Sequence, residues 1–141
     1  KKNISLISEI KRLKLSNSVK LLGQSDNILQ VMNGLDIFVQ SSSYGEGFPN
    51  VVAESMACGT PCVVTDVGDS AFVTGKTGWV VPPKNSIKLA NAIENALKEK
   101  DTVKWNKRCN KVRLRVKENF SIGNMIKLYN KVWIKVYKNN H

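Results

Sequence analysis

Short apolar runs alternate with segments of helical periodicity along most of this chain. Residues 19–22 (Val-Lys-Leu-Leu) predict a short buried strand ending at Gly23, and residues 27–34 a short helical stretch. Residues 36–40 (Asp-Ile-Phe-Val-Gln) predict a second strand, followed by Ser41, Ser42 and Ser43. A helix is expected over 49–58, with Pro49 at its start and Gly59 just past its end. Residues 61–65 (Pro-Cys-Val-Val-Thr) and 78–81 (Gly-Trp-Val-Val) read as third and fourth strands. The third stops at the polar loop Asp66-Val67-Gly68-Asp69, the fourth at Pro82-Pro83.

Three helices follow. Asn85 or Ser86 can cap the first, whose apolar positions are Leu89, Ile93, Ala96 and Leu97. Trp105, Cys109, Val112 and Val116 mark one face of the second. The third carries a continuous stripe of Ile122, Met125, Ile126, Tyr129, Val132, Trp133, Val136 and Tyr137. Strands alternating with helices imply a Rossmann-like α/β fold, a parallel sheet covered by helices on both faces. Open sheets of this kind bind ligands where the strands end. The loops there are Gly23 to Asp26, Ser41 to Gly47 and Asp66 to Ser70, all rich in Gly, Ser and Asp.

With 141 residues the chain suits a single domain spanning 1–141. No apolar run approaches the roughly 18 residues of a membrane span. The net charge of +11 is unevenly spread: residues 98–141 hold 13 basic and 3 acidic side chains. That predicts a basic C-terminal face able to meet a polyanion. No helix-turn-helix, zinc-finger or RNA-recognition signature accompanies it, so nucleic acid is not the expected partner. Cys58, Cys62 and Cys109 fit neither a disulfide framework nor a zinc site and read as small buried hydrophobes in a reducing compartment. The sole His, His141, removes histidine-based acid–base chemistry and histidine metal sites.

The chemistry concentrates in Tyr44-Gly45-Glu46-Gly47-Phe48-Pro49-Asn50-Val51-Val52-Ala53-Glu54. A glycine-containing loop runs into a helix, where unpaired N–H groups and a partial positive charge suit a phosphate. The amides of Asn50 and Val51 are the expected donors, and Gly45 and Gly47 allow close backbone approach. Glu54 lies one turn on, sharing a face with Asn50 and Val51. Its carboxylate can accept the two hydrogen bonds of a ribose diol. Glu46 stands before the helix and can accept from hydroxyls of whatever a diphosphate carries.

Glu46 to Glu54 resembles the E-x7-E motif of the retaining glycosyltransferases of family 4, also called group 1. The likeness continues through Ser55-Met56-Ala57-Cys58-Gly59-Thr60-Pro61-Cys62-Val63-Val64-Thr65-Asp66-Val67-Gly68 and resumes over Gly75 to Pro83. Val19 to Gly23, Asp36 to Ser42 and a closing helix over 121–138 are also similar. The resemblance implies the C-terminal, nucleotide-sugar-binding domain of a GT-B enzyme. It implies transfer of a sugar, with retention, from a nucleotide diphosphate sugar to an acceptor hydroxyl in surface glycan or polysaccharide synthesis. No cofactor or metal is expected. Glu46 would contact the donor sugar as the catalytic residue. Gly47, Phe48, Pro49, Asn50 and Val51 would meet sugar and diphosphate, and Glu54 the ribose. Gly23, Ser25 and Asp26 would lie near the base.

The family's Arg and Lys pair on the first strand has no counterpart here, because residue 1 already lies beyond it. The expected partners are therefore a nucleotide-sugar donor and a missing N-terminal acceptor domain. Isolated, the chain should be inactive. Lys127, Lys131, Lys135 and Lys138 beside the closing helix's apolar stripe also fit an anionic membrane surface, hence a cytoplasmic protein at the inner membrane face. The same stripe would equally serve to pack that helix against its own domains. The alternatives are a nucleotide-sugar epimerase of the same architecture and a non-catalytic membrane-binding module.

Overall fold

A computed structural model describes residues 3–139. His141, the sole histidine, lies outside the described residues. The elements run α1 (Ile4–Arg12), α2 (Ile28–Asn33), β1 (Phe38–Gln40), α3 (Asn50–Ala57), β2 (Cys62–Thr65), α4 (Ser70–Thr74), a 3-10 turn (Gly75–Thr77), β3 (Trp79–Val81), α5 (Ser86–Lys100), α6 (Lys104–Asn119) and α7 (Ile122–Asn139). The three strands form a parallel sheet in the order β1-β2-β3, with Val63 opposite Val39 on one side and Trp79 on the other.

All four residues of β2 are buried, as expected of a central parallel strand with helices on both faces. Successive side chains point to opposite faces, and the core divides accordingly. On one side Cys62 and Val64 pack with Val52 and Met56 of α3, Val73 of α4 and Val112 of α6. On the other Val63 packs with Val81 and with Ala92 and Ala96 of α5. The fold is the expected Rossmann-like α/β layering. Burial pushes the Cys62 thiol up to about 12, which makes it inert as a nucleophile. Cys58 and Cys109 are half-buried, and all three thiols are free.

Local sequence explains most boundaries. The Asn85 side chain accepts from the Lys88 N–H and starts α5, as Asn27 does for α2. Helix α3 ends before Gly59, which takes the left-handed conformation (φ 85°) usual after a helix end. Pro49 falls just outside α3, and its carbonyl accepts from the Val52 and Ala53 N–H groups.

Two expectations need correction. Residues 19–22 are not a strand: they join no ladder of the sheet, and Leu21 and Leu22 are 50% and 57% exposed. An apolar run becomes a strand only where a neighbouring strand takes its backbone hydrogen bonds; here the Val19 N–H goes instead to the Leu15 carbonyl at 3.0 Å. Helix α4 was not expected at all. It is a single short turn-and-a-half whose Val73 is drawn into the core, too brief to show helical periodicity.

The basic C-terminal third is also not uniformly a solvated face. Three arginines of α6 reach into the body of the domain. Arg113 donates to the carbonyls of Ala57 and Cys58 at 3.2 and 2.7 Å, closing the C-terminal end of α3. Arg115 does the same for α4 through the carbonyls of Val73 and Phe72. Arg108 lies over the Trp79 ring, donates to the Thr77 carbonyl at 2.8 Å and makes a two-pronged pair with Glu99 at 2.6 and 2.8 Å.

This pair yields a stability prediction. The Arg108 hydrogen bond holds the Glu99 carboxyl below its ordinary value, burial opposing it less strongly. A carboxylate whose folded pKa is depressed stabilises the fold above its unfolded pKa and ceases to as pH falls through the folded value. Arg108→Ala should therefore cost about 1–3 kcal/mol of unfolding free energy near neutral pH. Urea unfolding should show the gap to wild type narrowing as pH drops below the ordinary glutamate value of 4.5.

Candidate functional site

The loops after β1 and β2 meet at the carboxyl edge of the sheet. Thr65, the last residue of β2 and 3% exposed, donates its hydroxyl to the Ser42 carbonyl at 2.7 Å. The Ser42 hydroxyl in turn donates to Oε1 of Glu46 at 2.5 Å. The Asp69 N–H donates to the Gly47 carbonyl at 3.1 Å. Gly68, at φ 55°, lies so close that an added Cβ would sit 2.2 Å from the Glu46 carbonyl oxygen. Only glycine fits that position, by conformation and by space. The Glu46 loop is thus held at its side chain from one strand end and at its backbone from the next.

The loop then enters α3. Phe48 packs edge-on against Phe120 at 5.4 Å, and Phe120 packs likewise against Phe72 of α4 at 5.6 Å. Pro49 is buried at the helix entrance. The first N–H groups of α3 to find acceptors are those of Val52 and Ala53, so those of Asn50 and Val51 have none among the described residues. The Val51 side chain packs on the core while Asn50 and Glu54 are exposed, so the helix start presents amides and a carboxylate to solvent on one side.

Of the residues singled out from sequence, Glu46, Gly47, Phe48, Pro49, Asn50, Val51 and Glu54 are therefore brought into one continuous loop-and-helix entrance. Gly23, Ser25 and Asp26 are less tightly fixed. Gly23 takes φ 71°, and Ser25 Oγ accepts from the Asn27 N–H at 3.3 Å just before α2. No hydrogen bond or ion pair among the described residues ties this loop to Glu46 or α3. Sequence reasoning passed over Ser42, Thr65, Gly68 and Asp69 as individual residues. It marked their loops as polar and ligand-facing, but a pairing between two loops has no spacing signature.

The same fold recurs in solved structures. The chain superposes on Anabaena HepE in complex with UDP with a TM-score of 0.84 at 26% identity, over 94% of this chain and 36% of that one. It superposes on a glycosyltransferase from Rickettsia africae with a TM-score of 0.86 at 24% identity, over 96% of this chain and 37% of that one, which speaks to the fold alone. In sequence it is 33% identical over 120 residues to the N,N'-diacetylbacillosaminyl-diphospho-undecaprenol alpha-1,3-N-acetylgalactosaminyltransferase of Campylobacter jejuni, covering 83% of this chain and 32% of that protein. It is 27% identical over 120 residues to the Vi polysaccharide biosynthesis protein VipC/TviE of Salmonella typhi, covering 82% of this chain and 20% of that protein. The chain spans a third or less of the length of these curated relatives. The family model described as "Glycosyl transferases group 1" matches residues 1–118, and this chain belongs to that family.

Proposed function

We propose that this chain is the donor-binding domain of a retaining glycosyltransferase, in which a nucleoside diphosphate sugar is the donor and an acceptor hydroxyl receives the sugar. The observation that carries this reading is the tethered Glu46 beside a helix start whose Asn50 and Val51 amides have no acceptors among the described residues, with Glu54 one turn further on. Free amides at a helix start attract a diphosphate through both hydrogen bonding and the helix dipole. Glu54 then accepts from the ribose diol, and Glu46 from the donor sugar. The loop Gly23 to Asp26 serves the base. The relatives support the donor class and the setting: HepE was solved with UDP and with UDP-glucose, and the Salmonella typhi relative is a polysaccharide biosynthesis protein.

In this reading no cofactor or metal takes part. The acceptor oxygen bonds to the anomeric carbon on the face from which the diphosphate leaves. The bond to the phosphate oxygen breaks, and that oxygen takes the acceptor's proton. Glu46 steadies the sugar without receiving the proton. Recognition of the acceptor falls to parts of such an enzyme outside the region that this chain matches in its relatives.

Helix α7 supports a contact with an anionic membrane surface as an additional feature. No residue of it is buried, and Tyr129, Trp133 and Val136 are 56%, 65% and 52% exposed. At 3.6 residues per turn Lys127, Lys131, Lys135 and Lys138 form one stripe, opposite rather than flanking the apolar side. No helix among the described residues is long and apolar enough to cross a membrane.

Titration of the chain with UDP should give a measurable dissociation constant that Glu54→Ala raises about tenfold, since a hydrogen bond to a charged acceptor contributes about 1.5–3 kcal/mol. Unchanged affinity would remove the ribose assignment. The purified 141-residue chain, offered donor and acceptor, should give no transfer product, and genuine turnover by it would contradict a donor-binding role alone. Cosedimentation with phosphatidylglycerol vesicles at low salt should be lost at high salt and on Lys→Glu changes at 127, 131 and 135. Absence of binding at low salt would end the membrane contact.

A further inference from the structure

Glu46 is half-buried, yet no Lys or Arg among the described residues lies within ion-pair distance of it. Among the described residues its carboxylate has one partner, the Ser42 hydroxyl on Oε1, and Oε2 is left open. Ser42 is itself fixed, because its carbonyl takes the hydroxyl of the buried Thr65 at the end of the central strand. A hydroxyl that donates to one carboxylate oxygen settles the rotation of the group, leaving the other oxygen with a defined direction. A lysine in that place would compete for the charge and weaken acceptance from a neutral hydroxyl. A neutral donor anchored on a strand end does neither.

Resting on the donor-sugar role of Glu46 given above, we propose that Ser42 is a positioning residue. It fixes the Glu46 carboxylate so that Oε2 accepts a single hydrogen bond from one hydroxyl of the donor sugar. The relay runs from Thr65 through Ser42 to Glu46, while Gly68 and Asp69 hold the Glu46 backbone from the neighbouring loop. Discrimination between a nucleotide and its sugar therefore depends on a serine that touches neither.

The test compares affinities for UDP with those for UDP-glucose and UDP-N-acetylglucosamine, and for GDP with that for GDP-mannose, by titration calorimetry on the 141-residue chain. The gain in affinity on adding the sugar is the readout. Wild type should favour one nucleotide sugar over its parent nucleotide, and Glu46→Ala should lose that preference, by about tenfold. Ser42→Ala should lose most of it too, with UDP or GDP affinity kept, while Ser42→Thr, which keeps the hydroxyl, should restore it. Ser42→Ala added to Glu46→Ala should cost nothing more, because the serine acts only through the carboxylate. A general loosening of the loop would instead lower nucleotide affinity and would add to Glu46→Ala. Thermal melts establish that each variant is folded, and Ser42→Gly, which also removes the hydroxyl, carries the test if Ser42→Ala is not. If Glu46→Ala loses the preference and Ser42→Ala keeps it, the Ser42 proposal fails and the role of Glu46 stands. If wild type shows no preference for any of the sugars, or Glu46→Ala retains it, the donor-sugar reading itself fails and takes the proposal with it.

Discussion

The complete burial of β2 is the constraint on which the rest of the domain depends. A strand with both edges paired and both faces covered satisfies its backbone and removes its side chains from water at once. Everything else in the core is placed by this: α3, α4 and α6 against Cys62 and Val64, α5 against Val63. Because the strand is fixed, so is its last residue. Thr65 ends β2 with its hydroxyl on the Ser42 carbonyl, and from there the Glu46 loop is built. The rigidity of the site is inherited from the sheet rather than generated within the loop.

The loop itself shows how a half-buried carboxylate can be held with no Lys or Arg among the described residues at ion-pair distance. Ser42 takes one oxygen, Gly68 lets the backbone of the next loop come close, and Asp69 donates to the Gly47 carbonyl. Phe48, Phe120 and Phe72 pack edge-to-face behind it and tie the loop to the end of α6 and to α4. Each contact is modest alone. Their convergence on three consecutive residues, Glu46 to Phe48, gives the loop one conformation at the edge where a parallel sheet offers its ligands a crevice.

The distribution of charge carries a second lesson. Counted along the sequence, the C-terminal third is a basic block. In the fold its arginines and lysines part company. Arg108, Arg113 and Arg115 bond carbonyls at the ends of α3, of α4 and of the turn before β3, using planar, multiply donating heads that a lysine cannot imitate. The lysines of α7 stay on one exposed stripe. A count of positive charge mixed internal ties with solvent-facing charge, and only the ties hold the domain together.

The sequence by itself determined the layering, three of the four expected strands, the long helices with the cap of α5 narrowed to Asn85 or Ser86, and the loop-to-helix entrance from Glu46 to Glu54. These depend on local signals: runs of apolar residues, helical spacing, a proline before a helix and a glycine after it. The family, too, was legible in those residues, because a motif of fixed spacing survives in one dimension. Tertiary structure decided what requires two distant segments to meet. Residues 19–22 have the composition of a strand and no strand among the described residues to pair with; α4 exists because Val73 finds a core to enter. The Ser42–Glu46 bond is local in sequence, but its anchoring by Thr65 and the close fit of Gly68 join loops separated by a helix and a strand. Hydrogen bonds and steric contacts act over a few ångströms in space, so no spacing along the chain could have announced them.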